Sequence, residues 1–298
     1  MDSKQVVLIT GSSTGFGRLI AENLARRGHS VFATMRDPQG HNAANASEIR
    51  ALAKQESLPL NVVDLDVTND ASVERAVKIC VEHAGRIDIA INNAGNALIG
   101  LAEAVTTEQV QQIMDTNFFG SVRINRAVLP HMRRQRSGLL LHISSGAGRV
   151  IFPGFGVYCA TKFALEALAE AYHYELAAQG IESSIVEPGA YLTPIFGNLV
   201  KAADEDRTNT YGVAKQIPTK VNDFLRTAAG NAQEVADAVV NIVETPAGQR
   251  KLRYRVSRRD PGVDEINALC EHVQRRLFEA SGITADTAFV QRSAAGTP

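Results

Sequence analysis

Tyr158 and Lys162, in the stretch Tyr158-Cys159-Ala160-Thr161-Lys162, are the pair whose types and spacing most directly suggest chemistry. Side chains four residues apart lie on one face of a helix, one turn from each other. An ammonium beside a phenol favours the phenolate and draws a group with a pKa of about 10 toward neutrality. Such a phenol donates or accepts a proton near pH 7. On a surface helix the same spacing would be a plain side-chain contact. What sets it apart is a second motif near the start of the chain, Thr10-Gly11-Ser12-Ser13-Thr14-Gly15-Phe16-Gly17. Gly11 permits a tight strand-to-helix turn, while Gly15 and Gly17 let backbone and helix approach a pyrophosphate closely. The N-terminus of the helix that follows offers free N–H groups to that anion.

The two motifs together imply redox chemistry on a nicotinamide. Asn92-Asn93-Ala94-Gly95, Asn117, Ser145 and Pro188-Gly189-Ala190-Tyr191-Leu192-Thr193 extend the set. In this order and spacing, from residue 6 to about 256, the chain resembles the short-chain dehydrogenase/reductase family, of the single-domain kind with a TGxxxGxG loop. Residues 31–37 and 152–165 look most like its steroid and retinol dehydrogenase branch.

The resemblance implies roles. Tyr158 is the acid/base, and Lys162 lowers its pKa and holds the nicotinamide ribose. Ser145 lies thirteen residues before Tyr158, the family's separation, and orients the substrate carbonyl and its developing alkoxide. The backbone carbonyl of Asn117, freed by a local kink, holds a water beside Lys162 through which protons return from solvent. A solvent-facing helical asparagine is the alternative. Gly11, Ser13, Gly15, Phe16 and Gly17 belong to the cofactor loop. Phe16 replaces a branched aliphatic and is expected to alter packing only. Asp66 resembles the aspartate that binds the adenine amino group, its alternative being an N-cap. Asn93 and Gly95 lie beside the cofactor ribose, and Thr193 binds the carboxamide; Val67, Pro188 and Gly189 complete the cofactor set.

Cofactor choice turns on the end of the second strand. A carboxylate there would bind the adenosine ribose and repel a 2′-phosphate. Thr34 stands there instead, with Arg36 two residues on, and an arginine offers a charge-assisted grip on phosphate. With Ser13 this makes NADP(H) the expected cofactor, NAD(H) remaining admissible. The alternative is a solvated Arg36 with Asp37 taking the ribose.

The elements that must position these residues follow from hydrophobic patterning. Strands are expected at 6–10, 30–34, 60–63, 87–91, 139–143 and 183–186. Helices are expected at 46–55, 71–84, 107–132, 157–179, 232–243 and 264–280, with a basic strand-like stretch at 251–256. Apolar strands alternating with helices give an α/β fold, a doubly wound parallel sheet of Rossmann type. One domain spans 1–298: a cofactor core at 1–189, an irregular substrate-binding loop region at 190–231, C-terminal helices and a last strand at 232–283, and a small polar tail at 284–298. Leu98, Ile99, Val150, Phe152, Phe155, Tyr191 and Phe196 are candidates for an apolar substrate pocket, though core packing explains several equally well. Such a pocket suits a steroid, retinoid, prostanoid or other hydrophobic ketone or secondary alcohol.

Bulk properties narrow the function further. A net charge of −1 over 298 residues provides no field for nucleic acid or an anionic membrane. No apolar run precedes Val6, so no leader or transmembrane anchor is expected. Cys80, Cys159 and Cys270 lack CxxC spacing and suit a reduced cytoplasm; Cys159 reads as a packed thiol. The seven histidines have no metal-like spacing, and His142, inside a strand, reads as a core residue rather than a second base. The helices at 107–132 and 157–179, with Val128, Leu129, Leu165, Leu168 and Tyr172, are expected to pair across a two-fold axis in a homodimer or homotetramer. A noncatalytic NADP(H)-binding sensor or scaffold is the competing function, which loss of Tyr158 or Lys162 would have favoured; both are present.

Overall fold

Apolar strands end in turns and feed amphipathic helices throughout a computed structural model that describes residues 4–260 and 262–288. The first half runs β1 (Val6–Ile9), α1 (Gly15–Arg26), β2 (Ser30–Met35), α2 (Ala43–Gln55), β3 (Leu60–Asp64), α3 (Asp70–Ala84) and β4 (Ile89–Asn92). Next come the short β5 (Leu98–Ile99), α4 (Thr107–Met114), α5 (Gly120–Gln135), β6 (Gly138–Ile143), α6 (Gly156–Glu175) and β7 (Ile181–Pro188). The remainder is β8 (Val200–Lys201), α7 (Glu205–Thr210), α8 (Ile217–Thr227), α9 (Gln233–Glu244), β9 (Arg253–Val256) and α10 (Val263–Ser281).

Seven strands form one sheet in the order β3-β2-β1-β4-β6-β7-β9, and every pairing is parallel. The order reverses between β1 and β4, so a crevice opens at the carboxyl ends of those two strands. Alternation along β1 sends Val7 and Ile9 to one face and Val6 and Leu8 to the other. The first face packs against Ile20 and Leu24 of α1 and Val235 and Val239 of α9. The second packs against Val73 and Val77 of α3 and Ile124 and Val128 of α5. Both faces are therefore dry, as continuous apolar strands require.

Local signals fix the helix ends. The Asn69 side chain accepts from the Ser72 N–H at 2.8 Å and caps α3. Thr106 and Gln109 form a reciprocal capping box at the start of α4. The single helix expected at 107–132 is divided by a π-helical turn, Asp115–Phe119, centred on Asn117. The segment at 190–231 differs from its expected irregularity, because it carries α7 and α8. Asp204 caps α7 by accepting from the Arg207 N–H at 2.9 Å, and Pro218 sits in the first turn of α8, where its missing donor costs nothing. Residues 284–288 of the expected tail form turns, and 289–298 lie outside the described residues.

Val128, Leu129 and Leu165 are buried within the chain's own core, so they do not supply the surplus apolar face expected of α5 and α6. Phe119 and Phe163 do remain exposed there, at 47% and 39%. No helix among the described residues is long and apolar enough to cross a membrane.

Candidate active site

The glycine turn is held in place from the neighbouring strand end. The N–H groups of Asn93 and Ala94 both donate to Thr10 Oγ1 at 3.0 Å, and the Asn93 amide donates to the carbonyls of Thr10 (2.9 Å) and Gly11 (3.0 Å). Gly11 has φ +66°, and a Cβ on it would lie 2.8 Å from the Ala94 backbone. A Cβ on Gly17 would meet the Asn93 amide and the Gly11 carbonyl, both at 2.4 Å. Gly17 thus serves close packing of helix on turn, and the Asn-Ala-Gly motif acts as the staple.

Over this turn lies a cleft of about 390 Å³ at the carboxyl ends of β1 and β4. Gly11, Ser13, Gly15, Phe16, Arg36, Asp66, Val67, Asn93, Gly95, Tyr158, Lys162 and Thr193 all contribute to its wall. Sequence reasoning missed Met35, Ile143 and Ser144, which also line it. Gly17, Asn117, Ser145, Pro188 and Gly189 lie outside the wall. Pro188 pairs with Val256, and Gly189 packs on Ser257.

The arrangement corrects the residue expected to govern cofactor choice. Thr34 is fully buried, its hydroxyl donating to the Ile9 carbonyl at 2.9 Å, and it does not reach the cleft. Met35 and Arg36 do. The Arg36 guanidinium is exposed and makes no hydrogen bond or ion pair among the described residues. Asp37 is occupied with the N–H groups of Gly40 and His41, at 2.9 and 2.7 Å. Asp66 accepts from Thr68 N–H and Oγ1 at 2.9 and 2.7 Å while facing the cleft, and Asn69 takes the capping role.

At the far end stands the proposed chemistry. Asn117 is buried; its side chain accepts from Asn96 N–H (2.8 Å) and donates to the Asn96 carbonyl (2.9 Å) and Thr161 Oγ1 (3.0 Å). A solvent-facing asparagine is thereby excluded, and the side chain ties the π turn to the β4 loop and α6. Ser145 accepts from the Ala147 N–H at 3.1 Å, and its hydroxyl is near enough to the Tyr158 phenol to pull its pKa down. Lys162 Nζ donates to the Ile143 carbonyl at 2.9 Å and lies 5.9 Å from the Tyr158 ring centroid.

The expected depression of the phenol by Lys162 is not what this geometry produces. Burial pushes Tyr158 up to about 12, against the Ser145 hydroxyl that pulls it down. Burial likewise pushes Lys162 down to about 8, with the Glu166 carboxylate opposing. His142 is fully buried, and burial, then Lys162, pushes it down to about 3, so it is a neutral core residue. Burial also raises the Cys159 thiol, in keeping with a packed cysteine.

Apolar side chains gather around Tyr158. Tyr158 packs against two apolar clusters, one with Leu98 and Val157 and one built on Ala147, Phe155 and Cys159 that also takes in Phe152, Ile99, Leu199 and Val221 and Leu225 of α8. Tyr191 departs from the expected set: it is buried in the core, edge-on to Phe16 at 5.8 Å, with its hydroxyl donating to Glu234 at 3.2 Å. Val150 joins neither cluster, and the Phe196 side chain lies outside what the structure describes.

A glycine turn at a helix N-terminus, at the switch point of a parallel sheet and opening toward Tyr158 and the buried Lys162, defines a dinucleotide-dependent oxidoreductase. The family model described as short chain dehydrogenase matches residues 5–204, and the chain belongs to that family. It is 35% identical to retinol dehydrogenase 8 of Homo sapiens over 290 residues, 92% of this chain and 90% of that protein. It is also 35% identical to 17-beta-hydroxysteroid dehydrogenase type 1 of Homo sapiens over 266 residues, 86% and 79% of the two chains. Among solved structures, a short-chain dehydrogenase from Streptomyces avermitilis superposes with TM-score 0.75 at 30% identity, covering 97% of this chain and 100% of that one. The protein is an NAD(P)-dependent oxidoreductase, and its relatives fit the steroid and retinol dehydrogenase branch.

Proposed function

We propose that this protein interconverts a hydrophobic ketone and its secondary alcohol, with NADP(H) preferred over NAD(H). One observation carries the reading: a single cleft runs from the unpaired Arg36 to Tyr158 and Lys162. The residues present fit a dinucleotide, because the glycine turn and the start of α1 leave backbone N–H groups facing the cleft. Gly11, Ser13, Gly15 and Phe16 would hold the pyrophosphate end, Asp66 and Val67 the adenine, Asn93 and Gly95 the ribose, and Thr193 the carboxamide. The cofactor, when bound, supplies or accepts the hydride. Arg36 and Ser13 favour a 2′-phosphate, since Met35 offers no carboxylate to repel it.

In the reductive direction Tyr158 protonates the carbonyl oxygen, and Ser145, beside the phenol, orients that oxygen. A phenol pushed up to about 12 is held in its protonated form, as a proton donor must be. Lys162 supplies positive charge beside the phenol, and the Asn117 carbonyl, in the π turn, would hold a water through which protons return from solvent. Phe152, Phe155, Leu98, Val221 and Leu225 make the ground around Tyr158 apolar, which supports a steroid-, retinoid- or prostanoid-like substrate. Residues 190–231, including α8, form the substrate-binding region within one domain. The same reading carries a homodimer or homotetramer through α5 and α6, resting on Phe119 and Phe163.

The test is a panel of hydrophobic ketones offered with NADPH and with NADH. Stoichiometric loss of NADPH absorbance is expected with at least one. Absence of turnover across steroid, retinoid and prostanoid ketones, with the cofactor bound, would favour a noncatalytic binding protein.

A further inference from the structure

The loop between β2 and α2 is folded so that two basic side chains meet the adenosine end of the cleft. Asp37 takes a left-handed conformation, φ +46°, which an aspartate tolerates better than most residues. Its carboxylate accepts from the N–H groups of Gly40 and His41, at 2.9 and 2.7 Å, and its own N–H donates to Asp64 Oδ1 at 3.0 Å. The Asn42 amide donates to the Arg36 carbonyl at 2.7 Å, and the Asn42 N–H to the Asp37 carbonyl at 3.0 Å. A Cβ on Gly40 would run into the Asp37 carboxylate, so the turn is closed tightly about that side chain. These bonds curl residues 36–42 back on themselves, and His41 comes to the same wall as Arg36.

A second cavity, of about 590 Å³, opens beyond the cleft between this loop, the end of β3 and α3. Arg36, His41 and Asp66 line both spaces and so stand at the rim between them. The His41 imidazole, like the Arg36 guanidinium, makes no hydrogen bond, ion pair or ring contact among the described residues. The cleft wall carries one carboxylate, Asp66, and Thr68 already bonds to it. α2 begins at this wall with no acidic residue in its first turn, and its first charge, Glu48, is held by Arg18 at 2.6 Å. An imidazole ordinarily gains its proton near pH 6.5, and a phosphate dianion beside it favours the protonated form. We propose that His41, when protonated, is a second cation for the 2′-phosphate of NADP(H), so that the preference for NADP(H) over NAD(H) strengthens as pH falls from 8.5 to 6.5. This rests on the NADP(H) reading given above. The charged groups that share the second cavity with His41 are Arg36 and Asp37 of its own loop, Asp64 of β3, Asp66 just beyond it and Arg75 of α3. Three carboxylates against two guanidinium groups leave a local field that does not oppose a proton on the ring.

The test is a binding measurement that needs no turnover. Calorimetric titration with 2′,5′-ADP and with 5′-ADP, at pH 6.5 and 8.5, isolates the 2′-phosphate, because the 5′-diphosphate is common to both probes. In the unmodified protein the ratio of the two Kd values should shift toward 2′,5′-ADP by about threefold to tenfold on going to pH 6.5. Protonation of the 2′-phosphate itself, which sets in near pH 6, acts alike on every variant. His41→Gln, which keeps the backbone bond to Asp37, should abolish the shift. His41→Arg, whose charge does not titrate, should show the larger preference at both pH values. A merely structural role for His41 would weaken binding equally at the two pH values and would not be rescued in this way. A preference for 2′,5′-ADP that does not grow on acidification, or grows equally in His41→Gln, overturns the role of His41 while the NADP(H) reading stands. Equal binding of the two probes at both pH values overturns the NADP(H) reading, and the role of His41 with it.

Discussion

At the scale of residues, the chemistry was legible where it depends on side-chain type and spacing, and illegible where it depends on direction. Tyr158, Lys162, Arg36 and Asp66 all reach the cleft from positions that could be read in the chain. Thr34 was misjudged because nothing in a sequence says that its hydroxyl turns to the Ile9 carbonyl while Met35 meets the cleft. Tyr191 was likewise assigned to the pocket, whereas Phe16 and Glu234 hold it in the core. The phenol's shift was missed because burial outweighs everything else acting on it, and burial is a property of the fold. A prediction follows for cofactor choice. Arg36→Ala should weaken NADPH binding by about tenfold to a hundredfold and barely affect NADH. Met35→Asp should turn the preference toward NADH, by placing a carboxylate at the cleft. Fluorescence titration of both cofactors checks this; equal binding of NADPH and NADH by the unmodified protein would contradict it.

Among elements, the strands and the long helices were read within a few residues because each carries a continuous apolar run or a 3.6-residue period. The segment at 190–231 resisted. Its α7 is only six residues, Glu205–Thr210, and its two-residue strand β8 pairs with β5 across a hundred positions of chain. Neither is long enough to set a period. The π turn was anticipated only as a kink at Asn117, whose buried amide bonds to three partners show why an asparagine stands there. Because Val221 and Leu225 of α8 pack against the same cluster of Ala147, Phe155 and Cys159 as Tyr158 does, α8 should govern substrate recognition more than stability. Leu225→Ala should lower kcat/KM for a hydrophobic ketone by about fivefold or more, mainly through KM, with little change in Tm. Unchanged kinetics with a lowered Tm would make α8 a structural cover only.

Taken as a whole molecule, the described residues form one doubly wound seven-stranded sheet with both faces buried, beside the short pairing of β5 with β8, and several apolar side chains stay exposed on its helices. Phe119 and Phe163 lie on the helices expected to form a two-fold contact. Leu269, Val273 and Leu277, each more than half exposed, line α10 at four-residue spacing. Light scattering at micromolar concentration should give a dimer or tetramer, and Phe163→Glu should reduce its order. A protein that stays oligomeric after Phe163→Glu would place the contact elsewhere, with α10 the next surface to alter; a monomer from the outset would contradict the assembly. The central claim, that this fold brings a proton donor to the carboxyl edge of the sheet to serve a nicotinamide, is tested most directly by Tyr158→Phe. Turnover of a hydrophobic ketone with NADPH should fall by about a hundredfold or more while NADPH affinity stays unchanged, because the ring still packs and only the proton is lost. Retention of a tenth of the activity, about 1.4 kcal/mol of barrier, would contradict the account.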